Sequence, residues 1–378
     1  AAMSVDLATK SLLHDKLRFF ITVSGVAFAV TLVFVQVGLF IGLMSNASLT
    51  IENIDADLWV TSHNTPNVDF AHTFPETHVK RVRSVDGVLR ADNLIVWFMQ
   101  VNLPIGAIEG TEVYALEDFR SWSFPPGLAE GNVDDLRRGP YIMLDDSARK
   151  RWGAFGVGDY REIFGRRLKI IGRTVDAKSF TTTPLTFMDY RLAQSLTQDT
   201  LRGNTTYVLV KLAPGADVEK VRAEIRRRLP FNDVFTKAEW AARSQNYWIE
   251  STGLGLNMYI TVFLGCLVGI VVVAQTLYTS TMEHIKEFGT VKAIGGGNLD
   301  IYAILGKQAT IAAVAGFALG ALQAFAIRPL MSKIDLKLII PNTLFLAVFA
   351  GAILLCLGAA MISFRKVASI DPALVFRG

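Results

Sequence analysis

Long apolar stretches alternate with one large polar region along this chain. Four stretches contain no charged residue, at positions 19–44, 254–282, 309–327 and 338–364. A helix needs roughly 20 apolar residues to cross a membrane core about 30 Å thick. A soluble protein would need four buried helices of this length to give the same pattern. The pattern therefore predicts four membrane spans.

The predicted fold class is an α-helical membrane protein with a one-plus-three arrangement of four transmembrane helices. A large mixed α/β extracytoplasmic domain is inserted between helices 1 and 2. We expect these divisions: an N-terminal segment (1–18), helix 1 (19–45), the inserted domain (46–251), helix 2 (252–282), a cytoplasmic helix and loop (283–300), helix 3 (301–328), an outer loop (329–337), helix 4 (338–364) and a C-terminal tail (365–378).

Basic residues indicate the orientation of the spans. Lys10, Lys16 and Arg18 precede the first span, and the next basic residue is Lys80. By the positive-inside rule both termini are cytoplasmic and the inserted domain lies outside an inner (plasma) membrane. The basic residues between helices 3 and 4 oppose this assignment mildly. The first apolar stretch is longer than the apolar region of a signal peptide, so we interpret it as a retained anchor.

The inserted region has the alternating pattern of an α/β domain. Strands are predicted at 56–62, 94–103 and 167–175, and a short helix at 75–85. The clearest unit is a strand at 206–212, a helix at 218–229 with Asp217 as its N-cap, and a strand at 231–235.

Composition narrows the class of protein further. Of the 378 residues, 51% are hydrophobic and 19% charged, which excludes a wholly soluble enzyme. A net charge of +4 gives no reason to expect a nucleic-acid partner. Cys266 and Cys356 both lie in apolar stretches and are interpreted as packing residues.

Catalytic signatures are absent from the sequence. It contains no G-x-S-x-G, H-E-x-x-H or C-x-x-C motif, so we predict no catalytic residues. His63, His72 and His78 are close in sequence, but their spacing fits no known ligand pattern, and we predict no metal site. A P-loop is also missing. The chain is therefore not expected to be an enzyme or to bind a cofactor, and any ATP hydrolysis would belong to another chain.

Small and polar residues recur within the spans. Three G-x-x-x-G pairs favour close helix packing, in a bundle or a dimer: Gly38/Gly42, Gly265/Gly269 and Gly316/Gly320. Four glutamines lie at membrane depth: Gln36, Gln275, Gln308 and Gln323. Hydrogen bonding between helices and a path for a substrate are both open interpretations of these glutamines.

The segment 283–300 predicts an amphipathic cytoplasmic helix. Ile285, Phe288 and Val291 recur at helical spacing, and Gly295 begins a run of three glycines that ends the helix. Such a helix between two spans is suited to receive force from a soluble motor protein. An ordinary interfacial helix would have the same pattern.

Three motifs carry a family resemblance. Residues 286–295 (KEFGTVKAIG) resemble the K/R-E-[IF]-G-x-[LV]-[KR]-A-[IL]-G motif of the FtsX-like and MacB-like (type VII) ABC transporter permeases. Residues 7–18 and 370–377 resemble the first and last motifs of that family, and the one-plus-three arrangement also matches. Residues 34–39 (FVQVGL) and 287–295 are most similar to its DevC-like branch.

This resemblance implies a function and a set of partners. A homodimer would bind two ABC ATPase subunits that hold ATP and Mg, and would export a lipophilic or amphipathic substrate (a glycolipid, haem or drug) by mechanotransmission. DevC-like members imply a periplasmic adaptor protein and an outer-membrane channel. The cell-division branch implies the alternative, a non-transporting regulator of a periplasmic partner. The residues implied in coupling to the ATPase are Glu283, Lys286, Glu287, Phe288, Gly289, Lys292 and Gly295.

Candidate substrate residues lie at the outer ends of the spans. We expect five apolar and aromatic side chains to line a cavity at the outer leaflet: Met44, Tyr247, Trp248, Met258 and Tyr259. An aromatic belt at the membrane surface would place the same residue types at the same depth.

Overall fold

The computed structural model describes residues 16–177, 179–181, 183–197, 199–283, 297–334 and 336–368. The chain forms two compact units. One, the bundle unit, comprises residues 1–43 and 254–378, and the other, the inserted domain, comprises residues 44–253.

The described residues contain nine α-helices and twelve strands. The helices are α1 (Lys16–Asn53), α2 (His78–Arg83), α3 (Ala148–Trp152), α4 (Tyr190–Leu196), α5 (Val218–Arg228), α6 (Lys237–Ser251), α7 (Leu254–Glu283), α8 (Asn298–Lys333) and α9 (Asn342–Ala368). The strands are β1 (Leu58–Ser62), β2 (Phe74–Pro75), β3 (Val88–Asn102), β4 (Ile108–Leu116), β5 (Leu128–Glu130), β6 (Tyr141–Asp145), β7 (Tyr160–Ile163), β8 (Arg166–Thr174), β9 (Leu185–Asp189), β10 (Asn204–Thr205), β11 (Tyr207–Leu212) and β12 (Asn232–Thr236).

Helices α1, α7, α8 and α9 are the four helices of the described chain that are long and apolar enough to cross a membrane. The α/β domain lies between the first and second of them, which confirms the predicted fold class. Helix α9 begins at Asn342, not at 338, because a helix rarely includes the residue before a proline, and Pro341 follows Ile340. Helix α8 continues through Pro329 to Lys333, into the predicted outer loop.

Glycines bring α7 and α8 against α1 in the bundle unit. A Cβ on Gly320 of α8 would lie 2.7 Å from the Ala27 carbonyl oxygen, and one on Gly269 of α7 would lie 2.9 Å from the Ala29 Cβ. Only glycine permits such an approach of two backbones. Two of the three predicted glycine pairs, Gly265/Gly269 and Gly316/Gly320, therefore pack helices of one chain together.

The third pair, Gly38/Gly42, packs against a loop and not against another helix. Gly38 and Gly42 of α1 face the extended segment that follows α8, and a side chain on Gly42 would overlap the Lys337 carbonyl oxygen. The Ile339 N–H donates to the Gly38 carbonyl oxygen at 3.1 Å. The pair therefore fastens the connection between α8 and α9 to α1.

The inserted domain is organised around one large mixed sheet. Among the described strands, nine run in the order β12-β1-β11-β3-β4-β9-β6-β8-β5, and β7 joins β3 and β8. Neighbours in this order are antiparallel except for β4 with β9 and β6 with β8. The predicted strand–helix–strand unit is confirmed as β11-α5-β12, with β1 between its two strands. The Asp217 side chain caps α5 by accepting from the Glu219 and Lys220 N–H groups.

Helices cover both faces of this sheet. On one face α2 and α5 pack on strands near the β12 edge, through Val79, Val82, Val221 and Ile225. On the other face lie Ile51 and Ile54 at the end of α1, together with Trp240 of α6. The last turns of α1 thus belong to the hydrophobic core of the inserted domain.

Candidate functional site

The segment predicted to couple to an ATPase lies between the end of α7 and the start of α8. Glu283 is the last residue of α7 and is exposed. Lys286, Glu287, Phe288, Gly289, Lys292 and Gly295 lie outside the described residues, so their role stays a prediction. Both flanking helices contact α1 through their glycine pairs.

Two of the candidate substrate residues form part of an aromatic cluster in the inserted domain. The Trp248 ring stacks on Phe180 with centroids 3.9 Å apart, and it contacts Tyr247 at 5.4 Å and Phe70 at 5.7 Å. Phe98 extends the cluster from Phe70 at 6.1 Å. Phe70 is 40% exposed, so the cluster reaches the surface of the domain.

The remaining candidate substrate residues do not share one environment. Met44 is buried in the inserted domain. Met258 and Tyr259 belong to the bundle unit, where Met258 is buried and Tyr259 is 66% exposed. An exposed tyrosine on an apolar helix is typical of the aromatic belt. The structure therefore groups Tyr247 with Trp248 and leaves the joint cavity of all five a prediction.

A pair of acidic side chains lies in the core of the inserted domain, which sequence reasoning missed. Asp69 and Glu112 are 2% and 0% exposed. Burial and the adjacent Glu112 charge raise the pKa of Asp69 well above its usual value. Burial also raises the pKa of Glu112, although hydrogen bonds with Ser179, Asp69 and Tyr114 act in the opposite direction. Burial therefore favours the protonated form of both carboxyl groups.

The strand pattern could have located this pair. Glu112, Tyr114 and Leu116 alternate along β4 on the face that Ile51 and Trp240 cover. A charged residue in the inward phase of an apolar strand indicates a buried group that needs partners. The Tyr114 hydroxyl supplies one, since it lies 3.3 Å from the Glu112 Oε1.

Two of the three histidines of the inserted domain pair with separate residues. The His63 Nδ1 lies 3.1 Å from Asp233 Oδ1, and the His78 Nδ1 lies 3.1 Å from Asn232 Oδ1. Within the described ranges, no three side chains of the metal-binding types come together.

One glutamine of the spans takes part in an interhelical hydrogen bond. The Thr31 hydroxyl of α1 lies 2.8 Å from the Gln323 Oε1 of α8, and also 2.7 Å from the Ala27 carbonyl oxygen of its own helix. The structure thus supports hydrogen bonding between helices for Gln323. Gln308 is buried, whereas Gln275 is exposed. Thr31 has no motif in the sequence that would have identified it.

Comparisons with known proteins agree with this architecture. The family model of the MacB-like periplasmic core domain matches residues 19–228, and that of the FtsX-like permease C-terminal domain matches residues 259–372. The two matches cover α1 with the inserted domain, and then the last three spans.

Relatives match nearly the whole chain. It is 24% identical over 379 residues to the uncharacterized ABC transporter permease Rv0072 of Mycobacterium tuberculosis (strain ATCC 25618 / H37Rv), covering 98% of this chain and 99% of that protein. It is 24% identical over 356 residues to the uncharacterized ABC transporter permease Rv2563 of the same organism, covering 94% and 93%. Among solved structures, the periplasmic region of MacB from Actinobacillus actinomycetemcomitans aligns at 10% identity and a TM-score of 0.40, covering 50% of this chain and 92% of that one.

The order of the spans, the inserted α/β domain and both family models lead to one assignment. The model of the MacB-like core domain alone matches more than half of the chain. This chain is a multi-pass membrane protein that belongs to the ABC transporter permeases of the MacB/FtsX type.

Proposed function

We propose that the chain is the permease subunit of an ABC exporter that moves a lipophilic or amphipathic substrate, such as a glycolipid, haem or drug. An ATPase subunit on the cytoplasmic side hydrolyses ATP with Mg, and this chain transmits the resulting movement across the membrane. Membership of the permease family supports the ATPase partner. The finer resemblance of residues 34–39 and 287–295 to the DevC-like branch supports export.

One observation carries the mechanical part of the proposal. Helix α1 is continuous from Lys16 to Asn53, and Ile51 in its last turn and Ile54 directly after it lie in the core of the inserted domain. The same helix packs against α7 and α8, which flank the coupling segment. A force applied between α7 and α8 thus has a continuous helical element through which to reach the inserted domain.

The assembly follows from the same family resemblance. Two copies of this chain bind two ATPase subunits, with both termini in the cytoplasm and the inserted domain outside the inner membrane. A periplasmic adaptor protein and an outer-membrane channel complete the export route. The two glycine pairs that join α7 and α8 to α1 are used within one chain, so the dimer interface uses other surfaces of the bundle.

Substrate contact is assigned to the aromatic cluster of the inserted domain. The Trp248 ring stacks on Phe180, and Phe70 and Tyr247 lie beside it at steeper angles. Such a surface suits an apolar or flat ligand. Met44, Met258 and Tyr259 complete the proposed substrate residues at the outer ends of α1 and α7.

The variant Gly289→Leu tests the coupling. A leucine at this position blocks close docking of the segment on the ATPase, so we expect at least a tenfold loss of substrate-stimulated ATP hydrolysis. The measurement is the ATPase rate of the co-purified complex in mild detergent, with and without glycolipid or haem. Gly351→Leu is the matched control, because a Cβ on Gly351 meets nothing within 4 Å.

Three results would contradict the proposal in different ways. Full stimulation in Gly289→Leu would refute the coupling role of the segment. A stable complex that ignores every lipophilic compound, but responds to a protein partner, would favour the non-transporting regulator. Failure to form any complex with an ABC ATPase would refute both functions.

A further inference from the structure

A groove lies between α1 and α8 in the bundle unit. Its volume is about 400 Å³, within the range of small-molecule sites. Helix α1 lines it from Ser24 through Phe28 and Thr31 to Val35, and α8 contributes Leu319 and Gln323. Apart from the three polar side chains, the wall is hydrocarbon.

The dimensions of the groove fit a single hydrocarbon chain. The eleven residue steps from Ser24 to Val35 correspond to a length of about 16 Å along the helix. Dividing 400 Å³ by about 16 Å leaves a mean cross-section of about 25 Å². A transmembrane helix about 10 Å across needs about 80 Å², so a whole helix of a second copy does not fit inside the groove. Carbon atoms pack at about 4 Å, which leaves room for one extended acyl chain.

Polar groups in the groove call for a hydrogen-bonding ligand. The Gln323 side chain accepts from Thr31 through its oxygen, and within the described part of the chain its amide N–H groups have no acceptor. The same holds for the Ser24 hydroxyl in those ranges. Inside a bilayer no water satisfies such groups, and each unsatisfied one costs several kcal/mol. A bound molecule with an acceptor atom removes that cost.

Thr31 lies in the half of the bundle near the α8–α9 connection, whereas Ser24, at the other end of the groove, lies further from it. That connection packs on α1 at Gly38, through the Ile339 hydrogen bond. Thr31 precedes Gly38 by seven residues, about 10 Å along the helix. With the orientation proposed above, this depth corresponds to the outer leaflet.

We propose that the α1–α8 groove binds the acyl chain of a lipid, with Gln323 donating to an ester carbonyl or sugar oxygen next to that chain. This inference deepens the proposed function, on which it rests for the leaflet and for the meaning of the site in export. Lipid binding itself requires only this chain.

A binding assay on the purified full-length chain in detergent tests the groove. The probe is monogalactosyl diacylglycerol with a tritiated acyl chain, and saturable binding is measured by scintillation proximity. Leu319→Trp fills the groove, and we expect at least tenfold weaker binding. Leu322→Trp is the matched control on the same helix, since Leu322 is 67% exposed and does not line the groove. Its affinity should equal that of the unmodified chain.

Gln323→Leu tests the hydrogen bond separately and adds no bulk. A hydrogen bond contributes about 1 kcal/mol, so we expect binding roughly fivefold weaker. Unfolding of each variant is followed by a thiol-reactive dye, because both cysteines of the chain, Cys266 and Cys356, lie in the bundle unit. An unchanged midpoint shows that the bundle is intact.

Three outcomes would overturn the inference. They are the absence of saturable lipid binding, an equal loss of lipid affinity in Leu319→Trp and Leu322→Trp, and a change of oligomeric mass in Leu319→Trp. The last outcome would show that a second copy occupies the groove. Failure of the proposed function gives a different pattern. If Leu319→Trp abolishes lipid binding but no ATPase subunit binds the chain, the proposed lipid site stands and the exporter function is refuted.

Discussion

At the scale of single residues, the buried acids of the inserted domain oppose its stability at neutral pH. Asp69 and Glu112 both have a raised pKa because burial penalises their charged forms. The folded domain therefore binds more protons than the unfolded chain above the ordinary carboxyl pKa of about 4. Their contribution to stability is complete below that pH and is lost as the pH rises towards the folded-state pKa values.

Glu112→Gln should remove much of this pH dependence. The amide keeps the size of the carboxyl, still accepts through one oxygen, and carries no charge beside Asp69. We expect the free energy of unfolding at pH 8 to rise by roughly 1–3 kcal/mol, the usual cost of a buried polar group without a hydrogen-bond partner. At pH 4 we expect little change. Thermal unfolding is followed by tryptophan fluorescence, because all six tryptophans lie between residues 59 and 248, within the inserted domain.

The control for this measurement is Glu162→Gln on β7, where the glutamate is exposed. It should leave the unfolding midpoint unchanged at both pH values. A Glu112→Gln variant that is less stable than the parent at pH 8 would show that Glu112 is ionised and satisfied in the folded domain.

At the scale of helices and strands, glycine positions determine which helices of the bundle pack together. Gly316 and Gly320 of α8 sit on Val26, Ala27 and Val30 of α1. The Gly320 carbonyl oxygen also lies 3.1 Å from the Thr31 hydroxyl. These contacts need close approach of the two backbones, which no larger residue permits.

Gly320→Leu should separate α8 from α1. The added side chain meets the Ala27 backbone, which cannot move aside as a flexible side chain would, so we expect a loss of about 3 kcal/mol or more. Reaction of buried Cys356 with a thiol-reactive dye on heating measures the effect, as a lower midpoint. Gly351→Leu on α9 adds the same side chain where nothing lies within 4 Å, and its midpoint should be unchanged. Equal midpoints for both variants would refute the assigned packing.

At the scale of the whole molecule, the chain carries two units with separate cores. The hydrophobic clusters of the inserted domain draw on residues 51 to 241, and that of the bundle draws on the four long helices. A domain with its own core can fold alone. Tryptophan fluorescence and cysteine reactivity therefore report on different units of the same chain.

The fragment 44–253 should fold as a soluble domain. We expect a cooperative transition in tryptophan fluorescence, with a midpoint close to that of the same transition in the full chain. The shorter fragment 56–253 lacks Ile51 and Ile54, which are fully buried, and should lose about 2–5 kcal/mol for each. A non-cooperative transition in the longer fragment would show that the inserted domain depends on the bundle.

Much of the architecture could be predicted from local patterns. Uncharged stretches located the four spans, and the Asp217 cap with its amphipathic helix located the β11-α5-β12 unit. The start of strand β3 was harder to predict, because the strand begins at Val88 and includes the charged residues Arg90 and Asp92. Asp92 pairs with Arg83 at 2.7 Å, a contact between residues that no local pattern relates.

The sequence by itself determined the number of spans, the place of the inserted domain and the absence of a nucleotide motif, because helix length, charge and motif spacing are local properties of the chain. Tertiary structure alone decided that Gly38 and Gly42 hold a loop, that Asp69 meets Glu112, and that Ser24, Thr31 and Gln323 line one groove. Each of these contacts joins residues that are far apart in the chain, and it depends on how helices and strands pack. Burial and close approach, which give these residues their chemistry, arise only from that packing.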